Sequence, residues 1–151
     1  MKTNIIIQNK KASYDYEFIE KYVAGIILTG TEIKSIRLGK ASLVDTFCII
    51  SNNEVIMKNS YIAKFNVAGI YNHEETRNRK LLLNKQEIRH IKKKLEIPGI
   101  TLVPIKMFIN DNGLCKVEIA LAKGKKEYNK KESIKEKDNK RELDRVIKSY
   151  R

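Results

Sequence analysis

Two tight-turn signals, each flanked by strand-like segments, constrain this fold more than any other feature of the sequence. One is the dipeptide Asn52-Asn53, because asparagine tolerates the positive φ of a two-residue hairpin turn. The other is the run Asp111-Asn112-Gly113, a stronger signal of the same kind. The flanking segments are 45–51 with 55–61, and 101–110 with 114–122. The sequence therefore predicts two β-hairpins.

A further strand and a short helix are predicted before the first hairpin. Residues 18–29 are rich in β-branched and aromatic side chains and are followed by a glycine, as is typical of a strand. In residues 31–38, Ile33 and Ile36 fall on one side of a short helix, and Gly39 closes it.

A second helix, between the two hairpins, is marked at both ends. Asn84 is a good N-cap residue, and Glu87 three positions later completes a capping-box pattern. Pro98-Gly99 ends the helical pattern. The residues predicted to form its buried stripe are Ile88, Ile91 and Leu95.

The order of these elements indicates the fold class. Five or so antiparallel strands, with a helix between the third and fourth, predict a mainly β protein. The expected architecture is an OB-like antiparallel barrel with two or three short helices. Such barrels often bind oligonucleotides, although a fold alone does not assign a function.

The charge of the chain indicates a polyanionic partner. The 151 residues include 31 Lys and Arg against 18 Asp and Glu, a formal net charge of +13, and this favours nucleic acid. Residues 123–151 hold twelve of the basic side chains and few large apolar ones. We therefore expect an RNA-binding barrel over residues 1–122 and a basic C-terminal tail over residues 123–151. The tail is expected to be disordered or to become helical on binding.

The sequence also favours a particular compartment and redox state. No apolar run reaches the roughly 18 residues of a membrane span, and the N-terminus has no signal-peptide pattern, so we expect a cytoplasmic protein. Cys48 and Cys115 both lie in predicted strands, which indicates buried thiols. His73 and His90 lack the spacing of zinc ligands, and His90 is expected on the protein surface.

Catalysis has no positive support in the sequence. Phosphate-cradling loops and nucleophile elbows are missing from it, and we expect neither enzymatic activity nor a cofactor or metal. One alternative is a metal-dependent nuclease that uses Asp15 and Glu32, because such enzymes need clustered carboxylates. Another is a constitutive ribosomal-subunit protein, which is compatible with the size and charge.

A series of short motifs runs along the chain in a characteristic order. The motifs are Asn9-Lys10-Lys11-Ala12, residues 24–37, Gly39-Lys40-Ala41, Asn72-His73, residues 77–83, Thr101-Leu102-Val103-Pro104, residues 116–120, and Gly124-Lys125-Lys126. Together they resemble the SsrA-binding protein family, the bacterial partners of transfer-messenger RNA. The resemblance extends from about Asn9 to the C-terminus, and its specificity lies in the number and order of the motifs.

The resemblance implies a function in ribosome rescue. The family's barrel binds the tRNA-like domain of transfer-messenger RNA, and the complex enters ribosomes stalled on messages without a stop codon. The family's tail occupies the small-subunit decoding region and the empty message channel. Elongation factor Tu on the same RNA is a further expected partner. By position, the family's RNA contacts fall on Glu32, Leu81 and Lys116, with Asn9 and Lys10 nearby.

Basic clusters extend this predicted surface along the chain. The complete set of predicted RNA-binding residues is Asn9, Lys10, Lys11, Glu32, Lys34, Arg37, Arg77, Arg79, Lys80, Leu81, Lys116, Lys123, Lys125 and Lys126. The tail residues predicted to bind the ribosome are Lys130, Lys131, Lys135, Lys137, Lys140, Arg141 and Arg145.

The sequence departs from the family pattern at three places. Val23 stands where the family usually has an acidic residue, which removes one expected polar RNA contact. Glu75 stands where a proline is usual. In the tail, Asn129-Lys130-Lys131 replaces Asp-Lys-Arg. The acid is lost, and lysine in place of arginine keeps the positive charge but not the planar guanidinium fork.

Overall fold

The computed structural model describes residues 5–65 and 72–125, and within these ranges the chain forms nine strands and three helices. In chain order the elements are β1 (Ile6–Gln8), α1 (Lys10–Asp15), β2 (Tyr16–Ile26), α2 (Gly30–Arg37), β3 (Ala41–Ser42), β4 (Phe47–Ser51), β5 (Glu54–Lys58), β6 (Tyr61–Ile62), β7 (Arg79–Leu82), α3 (Lys85–Leu95), β8 (Ile100–Ile109) and β9 (Cys115–Gly124). In these ranges, no helix has the length and apolar character needed to cross a membrane.

Six of the strands pair in a closed circuit. β8 pairs with β4, the order continues through β5, β7 and β2 to β9, and β9 pairs back onto β8. Every pairing in the circuit is antiparallel. β1 adds to β8, and β3 and β6 form a separate two-stranded sheet. The predicted mainly β fold with short helices is confirmed, and the circuit of pairings is that of a barrel.

Both predicted hairpins are confirmed. Asn52 and Asn53 have φ values of 52° and 61°, as the two central residues of a type I′ turn require, and they connect β4 to β5. Gly113, with a φ of 80°, lies in the turn between β8 and β9. The side-chain oxygen of Asn110 accepts hydrogen bonds from the backbone N–H groups of Asn112 and Leu114, which holds this turn in shape.

The predicted helix signals also agree with the structure. α3 follows Asn84, whose side chain accepts from the backbone of Glu87 while the Glu87 side chain accepts from the N-cap N–H. α2 has a second capping box, formed by Thr29 and Glu32, and begins one residue earlier than expected. Gly39 has a φ of 74° and donates its N–H to Ile36 in the last turn of α2.

The core is apolar and draws on most of the elements. Ile36 of α2 and Ile91 of α3 are completely buried in it. The fully buried large side chains from the strands are Val55, Met57, Ile62, Leu81, Leu102, Met107, Val117, Ile119 and Leu121. Burying such a side chain contributes roughly 1.5–3 kcal/mol, so apolar burial holds the strands and helices together.

Several elements were not anticipated from the sequence. β7 is only four residues long and begins with the buried Arg79. Its sequence therefore lacks the alternation of apolar and polar residues by which a strand is recognised. The predicted strand at 18–29 corresponds to β2, which is shifted towards the N-terminus because α1 ends directly before Tyr16. β9 continues to Gly124, two residues beyond the expected boundary at residue 122. The rest of the predicted tail lies outside the described residues, except for Lys125.

The turn between β8 and β9 gives a direct test of backbone geometry. A Cβ at Gly113 would meet no atom within 4 Å, yet the φ of 80° is unfavourable for any residue with a Cβ. We expect Gly113→Ala to lower the free energy of unfolding by about 1 kcal/mol. The matched control is Gly30→Ala, which adds a Cβ into equally open space in the first turn of α2. Urea titrations in which the control loses as much stability as Gly113→Ala would contradict this account.

Candidate nucleic-acid interface

One row of side chains crosses the outside of the barrel. The strand registers place Leu82 of β7 beside Gly25 of β2, Gly25 beside Lys116 of β9, Lys116 beside Phe108 of β8, and Phe108 beside Ile6 of β1. Leu82 and Ile6 are each about half exposed, at 49% and 52%. Cys115 and Val117 on either side of Lys116 are buried, so this row faces outward.

A second row of side chains lies on β2, β9, β8 and β1, two residues away from the first row on each strand. Val23 pairs with Glu118, Glu118 with Lys106, and Lys106 with Gln8. The ammonium of Lys106 is 5.6 Å from the centre of the Phe108 ring, which links the two rows. The acidic residue expected at position 23 is absent, but Glu118 directly opposite provides a carboxylate in this row. We call these two rows together the outer face.

Gly25 creates a gap at the centre of the outer face. A Cβ at this position would lie 3.4 Å from Cβ of Leu82 and 3.8 Å from Nζ of Lys116. The Lys116 ammonium therefore lies over the glycine, next to the exposed leucine. An open groove of about 370 Å³ runs around the Lys116 ammonium. Its lining includes Leu28, Leu114 and residues of β2 and β9. A cation beside exposed aliphatic groups can contact a phosphate and the apolar part of a nucleotide together.

α1 brings a second cation towards the outer face. Lys10 and Tyr14 line a depression of about 510 Å³ together with Lys106 and Glu118. Asn9 is buried and caps α1, because its Oδ1 accepts from the N–H of Ala12 at 3.3 Å and its Nδ2 donates to the carbonyl of Pro104 at 2.9 Å. The structure therefore gives Asn9 the role of holding α1 against β8.

Glu32 lies at the centre of a buried ion-pair network. Its Oε1 accepts from the Thr29 N–H at 2.8 Å and from Nη2 of Arg77 at 2.6 Å, and its Oε2 accepts from Nε of Arg79 at 2.6 Å. Arg79 also donates to the carbonyl and hydroxyl oxygens of Ser60 at 2.8 Å, and to the carbonyls of Glu74 and Glu75. All of the guanidinium N–H groups of Arg79 thus have protein acceptors.

The network also determines the ionisation of Glu32. Burial by itself would raise the pKa of this carboxyl, but the hydrogen bonds from Arg77, from the Thr29 backbone and from Arg79 outweigh burial and lower the pKa to about 2. Glu32 is therefore a carboxylate at any physiological pH. Its exposed fraction is 0%.

Three of the residues predicted to bind RNA are fully buried. Glu32 and Arg79 have no exposed surface, and Leu81 is only 1% exposed. Leu82, the next residue of β7, points outward instead because neighbouring strand residues face opposite sides. The repeated leucines of the motif carried no signal in the sequence to say which one is exposed.

The other predicted cations are distributed over several surfaces. Lys11 pairs with Asp45 at 2.9 Å on a different side of α1 from Lys10, and Lys80 pairs with Glu54. Lys34 lies 5.4 Å from the centre of the Phe65 ring, and Arg37 is exposed on the same helix. Lys123 and Lys125 lie at the end of β9 and directly after it. Lys126 and the predicted ribosome-binding residues of the tail lie outside the described residues.

The residues considered for other chemistry do not form a site. His73 is buried, its Nε2 donates to the carbonyl of Ile62, and its Nδ1 forms a hydrogen bond of 2.8 Å with the Thr31 hydroxyl. His90 is exposed as expected and contacts Glu20 at 2.8 Å.

Among the described residues, the cysteines and carboxylates do not form a catalytic or metal site either. Cys48 and Cys115 are buried, as predicted, and burial raises the pKa of the Cys115 thiol to about 12. Across the described ranges, no group of three or more His, Cys, Asp or Glu is arranged to hold a metal ion. The nuclease alternative would need Glu32 as a ligand, but the two arginines and Thr29 already occupy that carboxylate.

A closed antiparallel barrel with a cationic and apolar outer face defines a small OB-like protein of the kind that binds nucleic acid. The family model described as SmpB protein matches residues 6–149. An SsrA-binding protein from Phocaeicola vulgatus is 58% identical over 146 residues, which cover 97% of each chain. An SsrA-binding protein from Flavobacterium johnsoniae is 49% identical over 150 residues, which cover 99% of each chain.

A solved structure supports the same assignment. It is described as "tmRNA-SmpB: a journey to the center of the bacterial ribosome", and the matched chain is 40% identical with a TM-score of 0.70. The match covers 95% of this chain and 96% of the other. The chain therefore belongs to the SmpB family, and the resemblance found in its motifs is confirmed.

The Glu32 network gives a prediction about acid stability. A carboxyl whose pKa falls from 4.5 to about 2 on folding stabilises the protein fully above about pH 5, by about 3 kcal/mol. This contribution is lost as the pH falls towards 2. We expect Glu32→Gln to unfold at lower urea concentration at pH 7, because Arg79 loses its buried partner, and to show a weaker loss of stability between pH 5 and pH 2.

The matched control for this measurement is Glu17→Gln, a neutralisation of an exposed carboxylate on β2. Its urea midpoints should follow those of the parent chain across the same pH range. A Glu32→Gln variant with the parent's acid sensitivity would show that this carboxylate does not stabilise the fold as an ion.

Proposed function

We propose that this protein binds the tRNA-like domain of transfer-messenger RNA through the outer face. The observation that carries the proposal is the position of the Lys116 ammonium over Gly25, directly beside the half-exposed Leu82. The family membership and the relatives described as SsrA-binding proteins support the choice of RNA. Lys10 and Lys106 add cations along the same surface.

The outer face combines two kinds of contact. Lys116, Lys106 and Lys10 attract phosphates, which position the RNA without reading its sequence. Leu82 and Val23 offer aliphatic surface against which a ribose or an unstacked base can pack. Gly25 allows the RNA to approach the sheet between them, because no side chain fills this position.

The buried network acts indirectly in this proposal. Glu32 links α2 to Arg77 and Arg79, and Arg79 is the first residue of β7, the strand that carries Leu82. Glu32 is therefore a positioning residue for the outer face. This role replaces the direct RNA contact that the motif implied.

The same proposal extends to ribosome rescue in the cytoplasm. The bound RNA is delivered to stalled ribosomes, the basic tail engages the small-subunit decoding region and the message channel, and elongation factor Tu binds the same RNA. The protein acts here by binding and makes or breaks no bond. The similarity to the solved structure described by the words tmRNA, SmpB and bacterial ribosome supports this assignment.

The phosphate contacts and the aliphatic contacts can be distinguished by how the affinity for RNA depends on salt concentration. We expect Lys116→Gln to weaken binding of the tRNA-like domain about fivefold to eightfold near 0.1 M salt, and to flatten the slope of log K against log salt by about 0.7–0.9. We expect Leu82→Ala to weaken binding about fivefold with the parent's salt slope, because an aliphatic contact releases no counterions. Fluorescence anisotropy with labelled RNA measures both quantities.

The matched control is Lys40→Gln, which removes one exposed positive charge just after α2; Lys40 lines neither the groove nor the depression of the outer face. It should leave the affinity nearly unchanged. If Lys116→Gln and Lys40→Gln have the same affinity and slope, Lys116 does not contact the RNA and the outer face is not the binding surface.

The role of the tail is tested by truncation after Lys126. This variant keeps β9 and the hydrogen bonds that Lys125 donates to the carbonyls of Asp15 and Ser13, so we expect a folded barrel. It should bind the tRNA-like domain with the parent's affinity within about threefold and fail to support tagging in a translation assay on messages without a stop codon. Full tagging activity in the truncated protein would remove the tail from the mechanism.

A further inference from the structure

Glu118 places a carboxylate in the middle of an otherwise cationic surface. It lies in the second row of the outer face, on β9, between Val23 of β2 and Lys106 of β8. Lys116, two residues earlier on β9, points to the same side of the barrel, and Lys10 lines a depression together with Glu118. A carboxylate at this place repels phosphates, so attraction of an RNA backbone does not explain its presence.

The carboxylate of Glu118 has no partner among the residues that the structure describes. It is partly exposed and takes part in none of their ion pairs or side-chain hydrogen bonds. Lys106, its neighbour on β8, instead holds its ammonium 5.6 Å from the centre of the Phe108 ring. Val23, its neighbour on β2, has no polar atom in its side chain. Both oxygens of Glu118 can therefore accept hydrogen bonds from a ligand.

The depression beside Glu118 has the size and the lining of a nucleobase pocket. Its volume of about 510 Å³ exceeds that of one purine base. The ring of Tyr14 lines it from α1, and proteins hold unpaired bases by stacking them on aromatic rings. Lys10 and Lys106 also line it and can bind the phosphates on either side of such a base. The fold thus brings together an aromatic ring, two cations and a carboxylate without a partner.

The chemistry of a carboxylate distinguishes guanine from the other bases. Guanine has two adjacent donors on its Watson–Crick edge, the ring N1–H and the exocyclic N2–H. These donors match the two oxygens of a carboxylate in the way that an arginine fork does. Adenine and cytosine offer one amino group beside an acceptor nitrogen, and uracil offers one N–H between two carbonyls. Each of these three bases would place an acceptor atom against the charged oxygens of Glu118.

We propose that Glu118 is a specificity-determining residue of the outer face, which accepts two hydrogen bonds from an unpaired guanine in the depression beside Tyr14. The inference rests on the proposed function, because it assigns a preferred base to the RNA that the outer face binds. The lysines position the RNA by its phosphates, and the carboxylate reads one of its bases. Only a base that donates both hydrogen bonds offsets the repulsion between Glu118 and the phosphates.

The test compares the full chain with Glu118→Gln. Glutamine has the size of glutamate but replaces one acceptor oxygen by an N–H donor, so it cannot accept both hydrogen bonds from guanine. The matched control is Glu17→Gln, which neutralises an exposed carboxylate on β2; Glu17 lines neither the groove nor the depression of the outer face. Circular dichroism and urea titration should show that all three proteins are equally folded.

The first measurement is binding of the fluorescein-labelled tRNA-like domain by anisotropy at several KCl concentrations. We expect Glu118→Gln to bind about tenfold more weakly than the parent. Its slope of log K against log salt should be that of the parent, because no contact that releases counterions is removed. Charge repulsion alone predicts the opposite sign, because loss of a carboxylate near phosphates strengthens binding. Tighter or unchanged binding, as expected of Glu17→Gln, would overturn the proposal.

The second measurement identifies the base. Labelled RNA pentanucleotides with guanine, hypoxanthine, adenine or cytosine between flanking uridines are titrated with the parent and with Glu118→Gln. Hypoxanthine keeps the N1–H of guanine and lacks its N2 amino group. We expect the parent to prefer guanine to hypoxanthine at least about fivefold, and Glu118→Gln to bind these two RNAs equally.

Two results of the pentanucleotide titration would contradict this assignment. A preference for guanine that is the same in both proteins would show that Glu118 does not read the base. If Glu118→Gln weakens every pentanucleotide to the same extent, the carboxylate contacts a ribose hydroxyl and the proposal is wrong.

Failure of the proposed function is recognised separately, because it appears as unchanged binding of the tRNA-like domain by Lys116→Gln. The pentanucleotide titration then still tests the Glu118 site, because it does not use the tRNA-like domain. If Lys116→Gln weakens binding of the tRNA-like domain and Glu118→Gln does not, the outer face remains the binding surface and the role of Glu118 is wrong.

Discussion

The buried carboxylate of Glu32 is the constraint on which much of this barrel depends. A charge without solvent contact is tolerated only when hydrogen bonds replace its hydration, and here Arg77, Arg79 and the Thr29 N–H supply them. The network fastens α2 to β7. Because β7 lies between β5 and β2, it closes the circuit of strands. Removing one partner would leave the other charges buried without compensation.

The network also separates cations that are paired inside the fold from cations that remain on the surface. Arg77 and Arg79 belong to a basic motif, yet their guanidinium groups are directed at Glu32 and at backbone carbonyls. Lys116 belongs to no cluster in the sequence, yet it lies over Gly25 at the centre of the outer face. The density of charge along the chain is therefore a poor guide to which cations lie on an open surface. Burial and pairing decide which charges remain available.

Much of the fold was predictable because it depends on local backbone chemistry. Asn52-Asn53 and Gly113 adopt positive φ in the expected turns, and Asn84 with Glu87 caps α3. These signals depend on residues close in sequence. β7 was missed because its strand pairing comes from β5 and β2, which are distant along the chain, and because its buried arginine hides the usual alternation. Within the candidate site, Lys116 was predicted from its motif, whereas strand register alone places Leu82 and Val23 on the same face.

By itself the sequence determined the hairpins, the helix caps, the basic balance of the chain and, through its ordered motifs, its family. Each of these depends on residues that interact with near neighbours in the chain, or on a pattern that is visible in the sequence itself. The tertiary structure alone decided that Glu32 is buried, that Leu82 rather than Leu81 is exposed, and that the row from Leu82 to Ile6 is continuous. The physical reason is that burial and cross-strand pairing depend on contacts between residues far apart in the chain. A one-residue change of register would have turned the opposite set of side chains outward.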